Sequence, residues 1–264
     1  MSLRINTNVE AFNAHRNLEM TSGKLAKSME RLSSGLRINR AADDAAGLAI
    51  SQKLTAQIKG VDQAGRNVQD GISLVQTAEG SLNEVHSMLQ RVRELAVQYS
   101  NGTLSTSDKA AINSEVTQLT DEIERIGGTA QFNNIHLLNS AQTITFQVGA
   151  NDGEVISVST VSLGAAVGTI DLTSSTVLAD IDTAIDSVSA QRASFGAVQN
   201  RLEHTYNNIQ TYEENLSASN SRIVDVDMAS EMVNFTKNQI LQQAGTSMLS
   251  QANQAPQAVL SLLR

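Results

Sequence analysis

The C-terminal stretch LQQAGTSMLSQANQAPQAVLSLLR, residues 241–264, places small and aliphatic side chains at steps of three or four. This spacing is typical of one face of a helix that packs on another helix. The members of this C-terminal stripe are Leu241, Ala244, Met248, Ala252, Ala255, Val259 and Leu262. The segments next to it in the sequence offer no evident partner.

A matching stripe lies at the other end of the chain, where Ala11, Leu18, Leu25 and Leu32 recur every seven residues. The simplest way to bury both stripes is to pack the two ends on each other, or on copies of the same protein. This pattern predicts a role in assembly rather than in chemistry.

Composition favours long helices packed side by side. The 264 residues include one proline, no cysteine, no tryptophan and only 3% aromatic residues. Rounded cores need large side chains, whereas parallel helices pack with Ala, Leu, Ile and Val. The single proline, Pro256, leaves most helices uninterrupted, and we expect a kink or the start of a short last helix there. The missing cysteines exclude disulfides and thiolate metal sites.

Apolar periodicity predicts four long helices before the C-terminal one, over 4–34, 45–99, 105–128 and 177–216. Ser105 opens the third helix with Asp108 three residues on, which is a weaker form of the capping box, and we expect a left-handed cap at Gly127-Gly128. The stretch SASNSR, residues 217–222, is predicted to be a polar joint before the last helix.

Between residues 140 and 175 the pattern changes to alternating β-branched side chains. Thr143–Val148 and Glu154–Ser159 flank turn residues and predict a β-hairpin, and short strands and turns are expected up to Ser175. The predicted fold is therefore mainly α, a long helical bundle or coiled coil with a small β-hairpin region in the middle of the chain. Residues 1–44 and 221–264 are predicted to form one discontinuous domain of paired terminal helices, and residues 45–220 a helical rod domain.

Several functions are disfavoured by what the sequence lacks. A net charge of −8 argues against nucleic-acid binding, which normally needs a basic face. The sequence contains no run of eighteen apolar residues, so no membrane span is predicted. The first residues do not resemble a secretory signal. Phosphate-binding, zinc-protease and nucleophile-elbow motifs are absent, so we expect no enzyme activity, no cofactor and no metal site.

Several ordered motifs resemble those of bacterial flagellins. The N-terminal ones are RINTNVEAFNAHRNL at 4–18 and LSSGLRINRAADDAAGLAIS at 32–51. QRVRELAVQ at 90–98, QFNNIHLL at 131–138, FQVGANDGE at 146–154 and QAGTSMLSQANQAPQAVLSLLR at 243–264 follow in the family's order. The chain resembles a short flagellin, with the terminal coiled-coil domain and the rod domain but no outer variable domains.

The resemblance implies a structural subunit that self-assembles into the flagellar filament, a helical propeller for motility. It also implies secretion through the flagellar type III export apparatus with a chaperone, without a cleaved signal peptide, to an extracellular flagellum. Cap and junction proteins are further implied partners. The assembly residues expected from the two stripes are Leu18, Leu25, Leu32, Leu241, Met248, Val259 and Leu262.

A host receptor is the last implied partner. In flagellins that are recognised by the flagellin-sensing Toll-like receptor, an Arg, a Leu and a Glu form the recognised patch, and Arg91, Leu95 and Glu115 match them here. The alternative is that these three residues serve packing, since Leu95 also fits the apolar stripe.

Two other functions stay open at this point. A hook–filament junction protein shares the terminal pattern, and a cytoplasmic helical signalling module would belong to a different class. The chain has 27 acidic and 19 basic residues. This acidic excess further suggests that neighbouring subunits pair carboxylates with Arg91, Arg93 and Arg125.

Overall fold

Long helices dominate the computed structural model, which describes residues 7–168 and 170–262, with side chains up to residue 254. The helices are α1 (Val9–Ser34), α2 (Ala45–Tyr99), α3 (Thr106–Thr129), α4 (Leu163–Val167), α5 (Val177–Val224) and α6 (Met228–Leu262). The strands are β1 (Gln131–Phe132), β2 (Ile135–His136), β3 (Thr143–Gln147) and β4 (Val155–Ser159). The predicted fold class is confirmed.

The ends of α1 and α3 follow from side chains that cap the helix backbone. The Asn8 side chain accepts a hydrogen bond from the Ala11 amide at 3.1 Å and starts α1. Gly35, with φ of 72°, ends it in the left-handed conformation. Ser105 and Asp108 form the predicted capping box of α3.

The predicted cap at Gly127-Gly128 is wrong, because α3 continues to Thr129 and ends at Ala130 with φ of −64°. Gly127 serves a close approach instead. A Cβ atom at Gly127 would lie 3.3 Å from the Cβ of Leu163 in the short helix α4. That helix occupies part of the stretch where only strands and turns were expected.

The predicted joint at residues 217–222 is also wrong, because α5 continues through it to Val224. The break comes at Asp227, whose carboxylate accepts hydrogen bonds from the amides of Ala229 and Ser230 at 3.0 and 3.2 Å. This cap starts α6. Serine and asparagine each lower the stability of a helix by less than about 1 kcal/mol relative to alanine, which is too little to end α5 at residues 217–222. Helix α6 runs through Pro256, so a separate last helix does not start there.

The chain divides into two compact units, Met1–Ala56 with Leu216–Arg264, and Gln57–Asn215. We call them the terminal unit and the central unit. The domain bounds expected from the sequence remain a prediction. In the central unit, α2, α3 and α5 share an aliphatic core that includes Val92, Leu95, Ile112, Val116, Val177 and Ile181.

Glycines of α2 make room for close contacts within the central unit. A Cβ at Gly71 would lie 3.3 Å from the Phe146 ring of β3, and one at Gly60 would lie 2.9 Å from the Cβ of Ala150. The hairpin β3–β4 therefore lies against α2 at positions where glycine leaves no side chain on the helix surface. Its antiparallel register pairs Thr143 with Ser159 and Gln147 with Val155, which confirms the predicted hairpin.

A second hairpin, β1–β2, was not predicted. Its two-residue turn places Asn133 and Asn134 at φ of 46° and 66°. Asparagine tolerates this left-handed backbone better than other residues with a side chain, so Asn-Asn between short apolar runs was an available signal.

Two glycines of α2 provide a matched test of this packing. We expect Gly80→Ala to stabilise the monomer by about 1 kcal/mol, because alanine favours helix and nothing lies within 4 Å of a Cβ built there. Gly60→Ala gains the same propensity but must displace Ala150, so its free energy of unfolding should stay unchanged or fall. Urea unfolding followed by circular dichroism measures both. Equal stabilisation by the two substitutions would show that α2 does not need Gly60 for the hairpin contact.

Candidate functional site

The two chain ends meet in an antiparallel pair formed by α1 and α6. Three contacts fix their alignment along the described part of the pair. The Asn8 side-chain amide donates to the Ala252 carbonyl at 2.7 Å, Leu18 lies against Gly245, and the Ser28 hydroxyl lies 2.5 Å from a carboxylate oxygen of Glu231. The ends of the chain therefore pack on each other within one molecule.

The least exposed residues of each helix follow the alternating three- and four-residue spacing of a coiled-coil seam. On α1 this seam comprises Ala11, Ala14, Leu18, Thr21, Leu25, Ser28 and Leu32. On α6 it comprises Glu231, Phe235, Asn238, Gln242, Gly245, Leu249 and Ala252. Three of the predicted assembly residues, Leu18, Leu25 and Leu32, are thus half-buried in the seam.

From Leu241 to Met248 the C-terminal stripe is displaced from this seam by one residue, and the two coincide at Ala252. Leu241 and Met248 remain 47% and 66% exposed, while Gln242 and Leu249 next to them face α1. One residue corresponds to a turn of about 100° around a helix. The side chains of the other two predicted assembly residues, Val259 and Leu262, lie outside the described part of the chain.

The outer surface of this pair is rich in large apolar side chains that remain at least 47% exposed. They are Val9, Phe12, Met20, Met29, Met228, Met232, Val233, Ile240, Leu241 and Met248. Met232, Val233, Ile240 and Leu241 line a shallow groove on α6 together with Lys237. So many exposed large apolar side chains are typical of a protein–protein interface. We call this surface the outer face.

A charged residue is buried inside the pair. Glu231 is 7% exposed and its hydrogen-bond partner Ser28 is 5% exposed. The Arg31 guanidinium adds an ion pair, with 3.6 Å between Nη1 and the second Glu231 oxygen. Sequence reasoning missed this cluster, although Glu231 is the only carboxylate in α6 and falls at a seam position.

A polar network fixes the connector between α1 and α2. The Lys27 ammonium lies 2.7 Å from one Asp43 oxygen, and the amides of Arg40 and Asn39 donate to the other at 3.1 and 3.3 Å. The pairing with Lys27, followed by the Arg40 amide, lowers the pKa of Asp43 from 3.8 to about 2. The Asn39 side chain and then Arg40 lower the pKa of Glu30 in the same way.

The three predicted recognition residues are divided between surface and core. Arg91 and Glu115 are about half exposed and form an ion pair at 3.0 Å between α2 and α3. Leu95 is only 2% exposed and packs in the core of the central unit. In this conformation Leu95 offers no surface for a receptor.

The arginines that were expected to pair between subunits already have partners in their own chain. Arg91 pairs with Glu94 and Glu115, Arg125 with Glu122, and Arg93 with Asp182. The Arg93 contact also holds the pKa of Asp182 below its ordinary value. Acid would therefore first weaken contacts inside the subunit.

Membrane-spanning helices and metal-binding clusters are both absent from the residues that the structure describes. None of the helices there is long and apolar enough to cross a membrane. No group of three or more histidines and carboxylates is arranged in that part of the chain to hold a metal ion.

Comparisons with known proteins match both halves of the terminal unit and much of the central unit. The family model of the bacterial flagellin N-terminal helical region matches residues 5–143, and that of the C-terminal helical region matches residues 178–263. A flagellin of Halalkalibacterium halodurans is 56% identical over 98% of this chain and 99% of its own length. A flagellin of Bacillus subtilis is 47% identical over 99% and 100%.

A solved structure agrees with these relatives. The crystal structure of Bacillus cereus flagellin is 31% identical in sequence to this chain, with a TM-score of 0.51. The matched region spans 59% of this chain and 94% of the Bacillus cereus chain.

The connector network should make the stability of the chain depend on pH. Because the Asp43 pKa is lowered in the folded chain, its contribution to stability is fully present above the ordinary carboxyl pKa and is lost as pH falls from 3.8 towards 2. Carboxyl NMR titration should give an Asp43 pKa near 2 in the parent and a higher one in Lys27→Met. Lys24→Met removes an exposed lysine one turn earlier and should leave Asp43 unchanged. An ordinary Asp43 pKa in the parent would show that the network does not hold the connector in solution.

Proposed function

Because this chain belongs to the bacterial flagellin family and is a structural subunit that self-assembles into the flagellar filament, we propose that the outer face carries its assembly. The observation that supports this proposal is the ten large apolar side chains that the helix pair leaves exposed. A two-helix pair has no further layer to cover them within the described terminal unit, so neighbouring copies are the natural partners. The relatives matched over their whole length are named as flagellins.

The predicted assembly residues then fall into two groups. Leu18, Leu25 and Leu32 hold the pair together, and Leu241 and Met248 contact neighbouring copies; Val259 and Leu262 continue the stripe in sequence. The groove formed by Ala14, Leu18, Ala244 and Met248 gives a neighbour's side chain a place to enter. The contact is heterologous, because a helical filament grows by joining different surfaces of identical subunits.

We also propose the partners that filament growth requires. They are the flagellar export apparatus with its chaperone, and the cap and junction proteins at the two ends of the filament. Family membership supports these partners, and the exposed outer face is a surface that a chaperone would have to cover before assembly.

A host receptor for flagellin is the other proposed partner. The Arg91–Glu115 pair forms an exposed polar site across α2 and α3, and arginine is a frequent anchor of protein interfaces. Leu95 supports this site from the core. We propose that the monomer presents the Arg91–Glu115 surface to the flagellin-sensing Toll-like receptor and that the filament covers it.

Removal of residues 241–264 tests the assembly role. The truncation removes no residue of the central unit, so its thermal unfolding should be unchanged while filaments fail to form. A finer variant, Met248→Gln, should raise the critical concentration about tenfold, since an apolar side chain of this size contributes roughly 1.5–3 kcal/mol when buried. Gln243→Ala changes an exposed polar residue of the same helix and is the control. Sedimentation assays that recover long filaments from the truncated chain would refute the proposal.

Reporter-cell activation by purified monomer tests the receptor role. Arg91→Ala and Glu115→Ala should each lower potency about tenfold or more, as expected for anchors worth over 1.4 kcal/mol. Arg93→Ala, which removes a similarly exposed arginine paired with Asp182, should leave potency unchanged. Leu95→Ala should lower the free energy of unfolding by roughly 2–5 kcal/mol. Equal potency of the parent, Arg91→Ala and Glu115→Ala, with intact circular dichroism spectra, would leave these residues a packing role alone.

A further inference from the structure

The apolar content of α6 does not decide which of its faces meets α1. Position for position, the observed seam has Phe235, Gln242, Gly245 and Leu249 where the face one residue earlier has Asn234, Leu241, Ala244 and Met248. The two sets are similar in size and hydrophobicity. Something other than burial of apolar area must therefore select the observed rotation.

The buried donors of α1 provide that selection. Ser28 and Arg31 lie on the inner side of α1 and both point to one acidic partner, Glu231. Glu231 and Lys237 are the only charged residues in α6, so one rotation and one register alone bring a carboxylate to these donors. Any other alignment leaves a buried hydroxyl and a mostly buried guanidinium without their acceptor, which is costly.

We infer that Glu231, with Ser28 and Arg31, is a rotational lock that turns the Leu241–Met248 side of α6 outward. Polar residues at a few seam positions fix the alignment of other coiled coils in this way, at some cost in stability. The consequence here is functional and rests on the proposed assembly role of the outer face. The lock prevents the chain from burying on itself the side chains that neighbouring copies need.

The contact between Leu18 and Gly245 allows this rotation to be measured directly with engineered disulfides. A Cβ atom built at Gly245 would lie 3.9 Å from the Cβ of Leu18, within the range that a disulfide requires. The chain contains no cysteine of its own, so engineered pairs can be followed without interference. Leu18→Cys with Gly245→Cys reports the observed rotation, and Leu18→Cys with Ala244→Cys reports a turn by one residue.

The decisive experiment moves the lock by one position. In the full-length parent, the 18–245 disulfide should form about tenfold faster than the 18–244 disulfide or better, since a hydrogen bond to a buried charge is worth more than the 1.4 kcal/mol that this ratio represents. Glu231→Ala should bring the ratio towards one, and Glu231→Gln, which keeps an acceptor for Ser28, should preserve it. The double change Ser230→Glu with Glu231→Ala should reverse the order. Ser230→Glu alone, with Glu231 retained, is the matched control and should behave as the parent.

Each outcome decides between the lock and a merely structural role for the cluster. Persistence of the 18–245 preference in Glu231→Ala or in the relocated variant would overturn the lock. A reversed preference together with a loss of filaments would support both the lock and its role in presenting the outer face. A reversed preference with normal filaments would keep the lock and overturn the proposal that the outer face carries assembly.

Discussion

The antiparallel packing of α1 on α6 is the constraint on which the terminal unit depends. It brings together the two ends of the chain, which are separated by about two hundred residues of sequence, and aligns them through Asn8, Leu18 and Ser28 on one helix. The seam mixes small and polar residues with leucines and Phe235, and ten other large apolar side chains remain outside it. A subunit that must join many copies needs such a surface, and a protein that works alone would bury it.

The central unit has a core of its own. Leucine, isoleucine, valine and alanine make up most of this core, with Phe195 as a large aromatic residue that is fully buried there. Ion pairs such as Arg93–Asp182 and Arg192–Glu79 link α2 to α5 at the rim of this core. Exposed pairs of this kind contribute little each, so the core supplies most of the stability and the charges set the alignment.

Sequence periodicity predicted the elements well where a single rule acts. The bounds of α2, the capping box at Ser105 and the hairpin β3–β4 all follow from local spacing and chemistry. The errors arose where a contact distant in sequence, or a stronger local signal nearby, outweighs the local signal on which the prediction rested. Gly127 was expected to end a helix, but it accommodates Leu163, and residues 217–222 were expected to break one, but Asp227 determines where the next helix starts.

Hydrophobicity could not predict which side of α6 packs on α1. An apolar side chain of this helix can be covered either by α1 of its own chain or by a neighbouring copy. The stripe from Leu241 to Met248 is apolar, and spacing alone does not tell whether its own chain or a neighbouring copy covers it. The only available signal was polar, namely a single carboxylate, Glu231, at a seam position. The division of Arg91, Glu115 and Leu95 between surface and core likewise depends on the packing of α3 against α2, which the motif alone does not specify.

The most direct measurement is a helical reconstruction of assembled filaments by electron cryo-microscopy at a resolution that shows side chains. We predict that Glu231 contacts Ser28 of its own chain while Leu241 and Met248 are covered by neighbouring subunits. A reconstruction in which Leu241 and Met248 pack against α1 of the same chain, or face water, would contradict it.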